Sequence, residues 1–201
     1  MTKNINLKQS YEHVLKVAAK LFRLKGFAST TVREIARAAG ILPGSLHYRY
    51  ASKEEILIAL MERGVNQVID SIESAISSTN DSVERVKLAL KTYISLLLSG
   101  DDTVYVLLYE WKVLTGESLQ IAKELQKRYE IFWENLIKDA VASGRFRPSV
   151  DIKLVHLLGV GAINWLAQWY TSNSKYTPDE IAEAFWNFIA FGVLKVPEPE
   201  T

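Results

Sequence analysis

The chain has 201 residues, 48% of them hydrophobic, which is enough to bury a substantial core and excludes a wholly disordered segment. It contains no cysteine, so a disulfide framework, thiolate metal ligands and a cysteine nucleophile are all excluded. The formal net charge of +1 hides an asymmetry: residues 1–55 hold ten Lys and Arg against four acids, a balance of +6, which leaves −5 for the remainder. A basic head on an acidic body suits a partner with a phosphate backbone.

In chain order, Val14, Leu15, Ala18, Leu21 and Phe22 recur at helical spacing and predict a helix from Lys8 to Leu24, ended by Gly26. Thr31 can cap a second, short helix whose buried face is Val32, Ile35, Ala36 and Ala39, and Gly40 stops it. Ile41 and Leu42 are expected to plug the angle before a third helix, which opens on Pro43 and turns Gly44, Ser45, His47, Tyr48 and Arg49 outward. Two short helices joined by a glycine-marked turn form a helix-turn-helix pattern. Ser52, with Glu55 three residues on, reads as the cap of a long helix from Lys53 to Ser77, on the order of 37 Å in length and able to bridge two domains.

Beyond it, Ser82 is expected to cap a helix to Leu98, followed by helices over Thr103–Val113 and Ser118–Ser143, the latter closed by Gly144. Pro148 and Asp151 open a helix to about Asn173, and Pro178 opens the last, to Phe191. No sustained alternation argues for a strand, so the expected class is all-α with about nine helices. The longest apolar run, Leu154 to Leu166, is interrupted by His156, Gly159, Gly161 and Asn164, which favours a bundle helix over a membrane span. The opening MTKNINLKQS is too polar for a secretory signal, so a cytoplasmic protein with no membrane partner is expected.

Thr30-Thr31-Val32, Ile35-Ala36, Ala39-Gly40-Ile41, Gly44-Ser45-Leu46 and Ser52-Lys53-Glu54 before Leu57, with Phe22, Gly26 and Phe27 upstream, stand in the order found in the TetR (TetR/AcrR-type) transcriptional repressors. The chain resembles that family over its first quarter. It departs at His47, where the family usually has Tyr, and at Tyr50-Ala51, in place of Phe-Pro. The resemblance implies a three-helix DNA-binding domain over residues 1–52 and a helical ligand-binding and dimerisation domain over 53–201. It also implies an operator contact set of Thr31, Arg33, Gly44, Ser45, His47, Tyr48, Arg49 and Lys53, with Gly44 and Ser45 at base edges and His47, Tyr48 and Arg49 near phosphates.

Base-edge contact by glycine and serine and phosphate contact by Tyr, His and Arg agree with their hydrogen-bonding chemistry. Two such heads one helical turn apart would read a palindromic operator, so a homodimer is expected. Leu154, Leu157, Leu158 and Gly161, with Phe185, Phe188 and Ile189, form its candidate surface. In the family the last two helices pair with their copies in a four-helix bundle. The body is rich in aromatic residues, and Met61, Tyr93, Leu97, Tyr105, Tyr109, Trp111, Asn164, Trp165, Gln168 and Trp169 are the candidate lining of a mostly apolar pocket. The run from Gly159 to Tyr170 resembles that of relatives sensing fatty acyl-CoA, which implies a small apolar effector of that kind. Regulation of efflux or of another pathway by a different hydrophobic effector, and ligand-independent DNA binding, are the alternatives. His13, His47 and His156 fall on three different predicted helices, without an HExxH, GxSxG or P-loop motif, so neither an enzyme nor a resident cofactor is expected.

Overall fold

Side-chain caps and left-handed glycines divide the chain into helices at most of the breaks that its punctuation marks. The computed structural model describes residues 2–171 and 173–194. Among these are nine α-helices: α1 Thr2–Lys25, α2 Val32–Ala38, α3 Pro43–Arg49, α4 Lys53–Ile76, α5 Ser82–Leu98, α6 Asp102–Tyr109, α7 Gly116–Ala142, α8 Ile152–Trp169 and α9 Pro178–Val193. The class is all-α, as the missing alternation indicated. None of the described helices is long and apolar enough to cross a membrane.

Gly26 and Gly40 show why two of those breaks fall where they do. Both have positive φ, 78° and 68°, a region open to glycine and strained for residues with a Cβ. After α2 the Ile41 N–H reaches back to the Ala36 carbonyl and the Gly40 N–H to Arg37, so the left-handed residue satisfies carbonyls that the helix end leaves unpaired.

Several boundaries differ from the sequence expectation; α1 begins at Thr2 rather than Lys8, and α7 at Gly116 rather than Ser118. Asp81, not Ser82, caps α5, because its carboxylate accepts from both the Val83 and Glu84 N–H groups, while the Ser82 hydroxyl pairs with that of Ser143. The helix expected over Thr103–Val113 stops at Tyr109 and tightens into a 3-10 turn at Trp111–Val113, after which Leu114 is buried. Helix α8 stops at Trp169, where Tyr170 turns extended, and does not continue to Asn173.

Residues 1–66 and 101–126 form one compact unit, and residues 67–100 and 127–201 the other. In the first, Val14, Ala18 and Phe22 of α1 are buried, as are Phe27, Ile35, Leu46 and Tyr50 and the α4 residues Ile56, Leu57, Leu60 and Met61. Helix α6 packs on α1, where Arg23 forms an ion pair with Asp102 (2.9 Å) and lies over the Tyr105 ring. It also crowds α4, since a Cβ at Gly64 would lie 3.2 Å from Leu107 Cβ. In the second unit α5 packs on α8 and α9, burying Val86, Leu90, Tyr93 and Ile94 with His156, Val160, Ile163 and Leu166 of α8 and Ala182, Trp186, Ala190 and Val193 of α9.

Helix α2 has only seven residues and depends on its cap. Thr31 forms a capping box with Glu34, and the Glu34 carboxylate also binds Lys25 at 3.0 Å. The Lys25 hydrogen bond first, then the Thr31 backbone and hydroxyl, lower its pKa from the usual 4.5 to about 2. A depressed carboxylate pKa stabilises the fold above the unfolded value and stops doing so as pH falls through the folded one. Thermal stability is therefore expected to fall between about pH 4.5 and pH 2 partly through this group, and Glu34→Gln should flatten that stretch of a melting-temperature profile.

Candidate functional site

The third helix is held by one residue and leaves the rest to solvent. Leu46 is fully buried, whereas Gly44, Ser45, His47, Tyr48 and Arg49 are exposed, Tyr48 to 92%. The set of outward residues is the one expected from sequence. Tyr50, next in the chain, is buried, and its hydroxyl pKa is raised by that burial. The Arg49 guanidinium lies 5.4 Å from the Tyr11 ring centroid and 5.6 Å from that of Tyr50, which fixes its stem while leaving the charge at the surface.

Gly44 has an ordinary helical backbone, and a Cβ placed there would meet nothing within 4 Å. The fold does not require glycine here, so the missing side chain matters only to something approaching from outside. Leu42 departs from expectation. It was expected to plug the angle between helices, yet it is 75% exposed at the start of α3, because the single buried position on that helix is taken by Leu46 and Ile41 alone turns partly inward.

Two further members of the expected contact set are engaged within the protein. The Lys53 ammonium donates to the Phe27 carbonyl at 2.6 Å and the Thr30 carbonyl at 2.8 Å, and lies 4.2 Å from the Phe27 ring centroid. The Thr31 hydroxyl and N–H belong to the capping box. Arg33 is exposed on α2.

The ten pocket candidates fall in both compact units. Met61, Tyr105, Tyr109 and Trp111 belong to the first, where Met61 is fully buried and the Tyr105 and Tyr109 rings pack tilted, with centroids 4.7 Å apart. Tyr93, Leu97, Asn164, Trp165, Gln168 and Trp169 belong to the second. There the buried Tyr93 hydroxyl donates to the Asn164 side-chain carbonyl. Trp165 is 66% exposed and Gln168 and Trp169 are also exposed, because Trp165 follows Leu158 and Gly161 at helical spacing along the outer face of α8.

That outer face continues the dimerisation candidates. Leu154, Leu157, Leu158 and Gly161 on α8 and Phe188 on α9 are exposed, Phe188 to 78%, while Phe185 and Ile189 are half-buried. Phe191, not singled out from sequence, is 86% exposed beside them on α9. An apolar cleft in the same unit is lined by Val86, Leu90, Trp133, His156, Val160 and Ile189 among others, and has a volume of about 30 Å³, the scale of a water molecule. None of the ten pocket candidates lines it. Tyr129 and Trp133 of α7 are close to Tyr93, with ring centroids 6.1 and 5.7 Å away. Aromatic content alone gave no reason to separate these two from the core.

Residues 14–60 match the family model of bacterial regulatory proteins of the TetR family, and residues 79–193 match that of tetracyclin repressor-like C-terminal domains. The transcriptional repressor KstR2 of Mycobacterium tuberculosis is 25% identical over 184 residues, covering 90% of this chain and 92% of its own. The crystal structure of AibR in complex with isovaleryl coenzyme A and operator DNA is 27% identical, with a TM-score of 0.80 and coverage of 89% of this chain and 97% of that one. The Bacillus subtilis regulator FadR in complex with stearoyl-CoA has the same fold, with a TM-score of 0.79 at 22% identity and coverage of 90% and 98%.

Alanine is the better helix former by up to about 1 kcal/mol, so Gly44→Ala is expected to leave the melting temperature unchanged or raised. Its methyl group would stand on the approach face, and affinity for a duplex selected by the wild-type protein from random sequence should fall about tenfold by fluorescence anisotropy.

Proposed function

The chain belongs to the TetR family and is a ligand-responsive transcriptional repressor of that type, and we propose that its effector is a CoA thioester with an apolar acyl group. The observation that carries the DNA-binding part is the outward face of α3. A glycine that the fold does not need, a serine hydroxyl, and His, Tyr and Arg tips lie on one exposed seven-residue helix. Gly44 and Ser45 would meet base edges, and His47, Tyr48 and Arg49 the phosphates, with Arg33 and the capped start of α2 alongside. Thr31 and Lys53 would act there chiefly by holding the loop that positions these side chains.

One head of this size contacts few base pairs, so useful affinity requires two. The apolar stripe of Leu154, Leu157, Leu158 and Gly161, with Phe185, Phe188, Phe191 and Ile189, supports pairing of α8 and α9 with their copies in a second chain. The effector reading is supported by the AibR complex, whose ligand is isovaleryl coenzyme A, and by the apolar, aromatic interior of the second unit. An effector that binds better to a body conformation with altered head spacing would release the operator by exactly its preference for that conformation over the operator-bound one.

Two measurements test this. Phe188→Glu should halve the mass seen by sedimentation while helicity by circular dichroism is kept, and binding to the selected duplex should be lost; an unchanged dimer would place the interface elsewhere. Titrating the protein–duplex complex with isovaleryl-CoA and longer acyl-CoAs should release the duplex, with free CoA as control. Saturable acyl-CoA binding that leaves duplex affinity untouched would show that the thioester is not an inducer.

A further inference from the structure

Leu42 is a large apolar side chain that the fold neither buries nor uses. It precedes α3 with an extended backbone, φ −69° and ψ 136°, and makes no side-chain capping bond. Helices α2, α5, α6, α8 and α9 each follow a Thr or Asp whose side chain accepts from a backbone N–H of the first turn, the chemistry preferred at such a position. Leucine cannot do this, and at 75% exposure it adds little to the core. The demands of the fold therefore do not account for it.

Scattered exposed apolar residues are ordinary on a protein surface; what distinguishes Leu42 is its company. The Ser45 N–H donates to the Leu42 carbonyl at 3.0 Å, and residues three apart on a helix are surface neighbours. Pro43, Gly44 and Ser45 follow it, all exposed. The leucine thus stands beside the glycine and serine that would meet base edges. Of the large hydrophobic side chains exposed within residues 14–60, which are Leu24, Leu42 and Tyr48, it is the aliphatic one at this face.

What such a side chain can recognise is narrow. It neither donates nor accepts, so against a base edge rich in hydrogen-bonding atoms, or against a phosphate, it displaces water and returns nothing. In the major groove the apolar group that a base pair displays is the C5 methyl of thymine. Contact there removes apolar surface from water on both sides.

We propose that Leu42 is a specificity-determining residue of the reading head, packing against the C5 methyl group of a thymine in each half of the operator. This rests on the reading of α3 as the DNA-reading helix and adds a base preference that its neighbours do not supply, since Gly44 has no side chain and the Ser45 hydroxyl can serve any base.

The test uses the full-length protein and the duplex it selects from random sequence. Each thymine of one half-site, together with its symmetry mate, is replaced in turn by deoxyuridine, which removes the methyl group and keeps every hydrogen-bonding atom. For wild type, one such pair should weaken binding by about fourfold per methyl, on the order of tenfold for the two, by fluorescence anisotropy. Leu42→Ala should lose most of that discrimination at the same pair and keep the wild-type melting temperature. Selected half-sites without thymine, wild-type affinity indifferent to every replacement, or a Leu42→Ala variant that discriminates as wild type does would each overturn the inference. A lowered melting temperature would also overturn it, by giving the leucine to the fold. Gly44→Ala measured alongside tests the reading of α3 whether or not any methyl is recognised: undiminished affinity in that variant would overturn the reading itself, and the assignment of Leu42 with it.

Discussion

One ammonium group organises the reading head. The turn between α1 and α2 exposes backbone carbonyls that no helix satisfies, and Lys53, from the first turn of α4, gathers those of Phe27 and Thr30 while its charge lies over the Phe27 ring. The same few residues are tied from other sides. The Thr30 hydroxyl donates to the Gly26 carbonyl, the Phe27 N–H goes to the Glu110 carboxylate after α6, and the Thr31 N–H goes to Glu34. Helices of seven residues do not persist alone in water. Their orientation comes from this turn and from Ile35 and Leu46 below it, and among the described residues Arg49 alone of the outward set on α3 packs on the head, against Tyr11 and Tyr50.

The sequence made the head legible because its signals are local. A capping threonine, a left-handed glycine, a proline at a helix start and an apolar period each act within about five residues, and Thr31, Gly40, Pro43 and Leu46 do what their types dictate. Leu42 misled because hydrophobicity says a residue prefers to be buried, not that space exists for it. Charge counting misled in a related way. Lys53, Lys25 and Arg23 all contribute to the basic balance of residues 1–55, yet the first is held by carbonyls and the others pair with Glu34 and Asp102. A count cannot distinguish cations that complete the fold from those that face a partner.

The body was legible as helices and much less so as a site. Tyr93 and Asn164 could be suspected from residue type, but their partnership joins positions 71 residues apart. Tyr129 and Trp133 could not be told from ordinary core aromatics, since what distinguishes them is that both rings pack on Tyr93, a property of the folded interior and not of the sequence. Trp165 illustrates the converse. Residue type suggested a pocket, while helical phase, read against Leu158 and Gly161, points it outward.

The same phase relation would join the two roles proposed for the second unit. Helix α8 is apolar on both sides: His156, Val160, Ile163 and Leu166 face the interior, and Leu154, Leu157, Leu158 and Trp165 face out. A helix apolar all round normally lies within a larger core or a membrane, and at 18 residues with His156 and Asn164 inside it is no membrane span. The second copy of the chain proposed above would cover the outer face. Asn164, bonded to Tyr93, and Trp165, on the outer stripe, are consecutive residues of one rigid element. Close-packed helices shift as units and do not deform residue by residue. A ligand that moved α8 at its inner face would therefore shift the outer face with it, and with that face the geometry of the dimer proposed above.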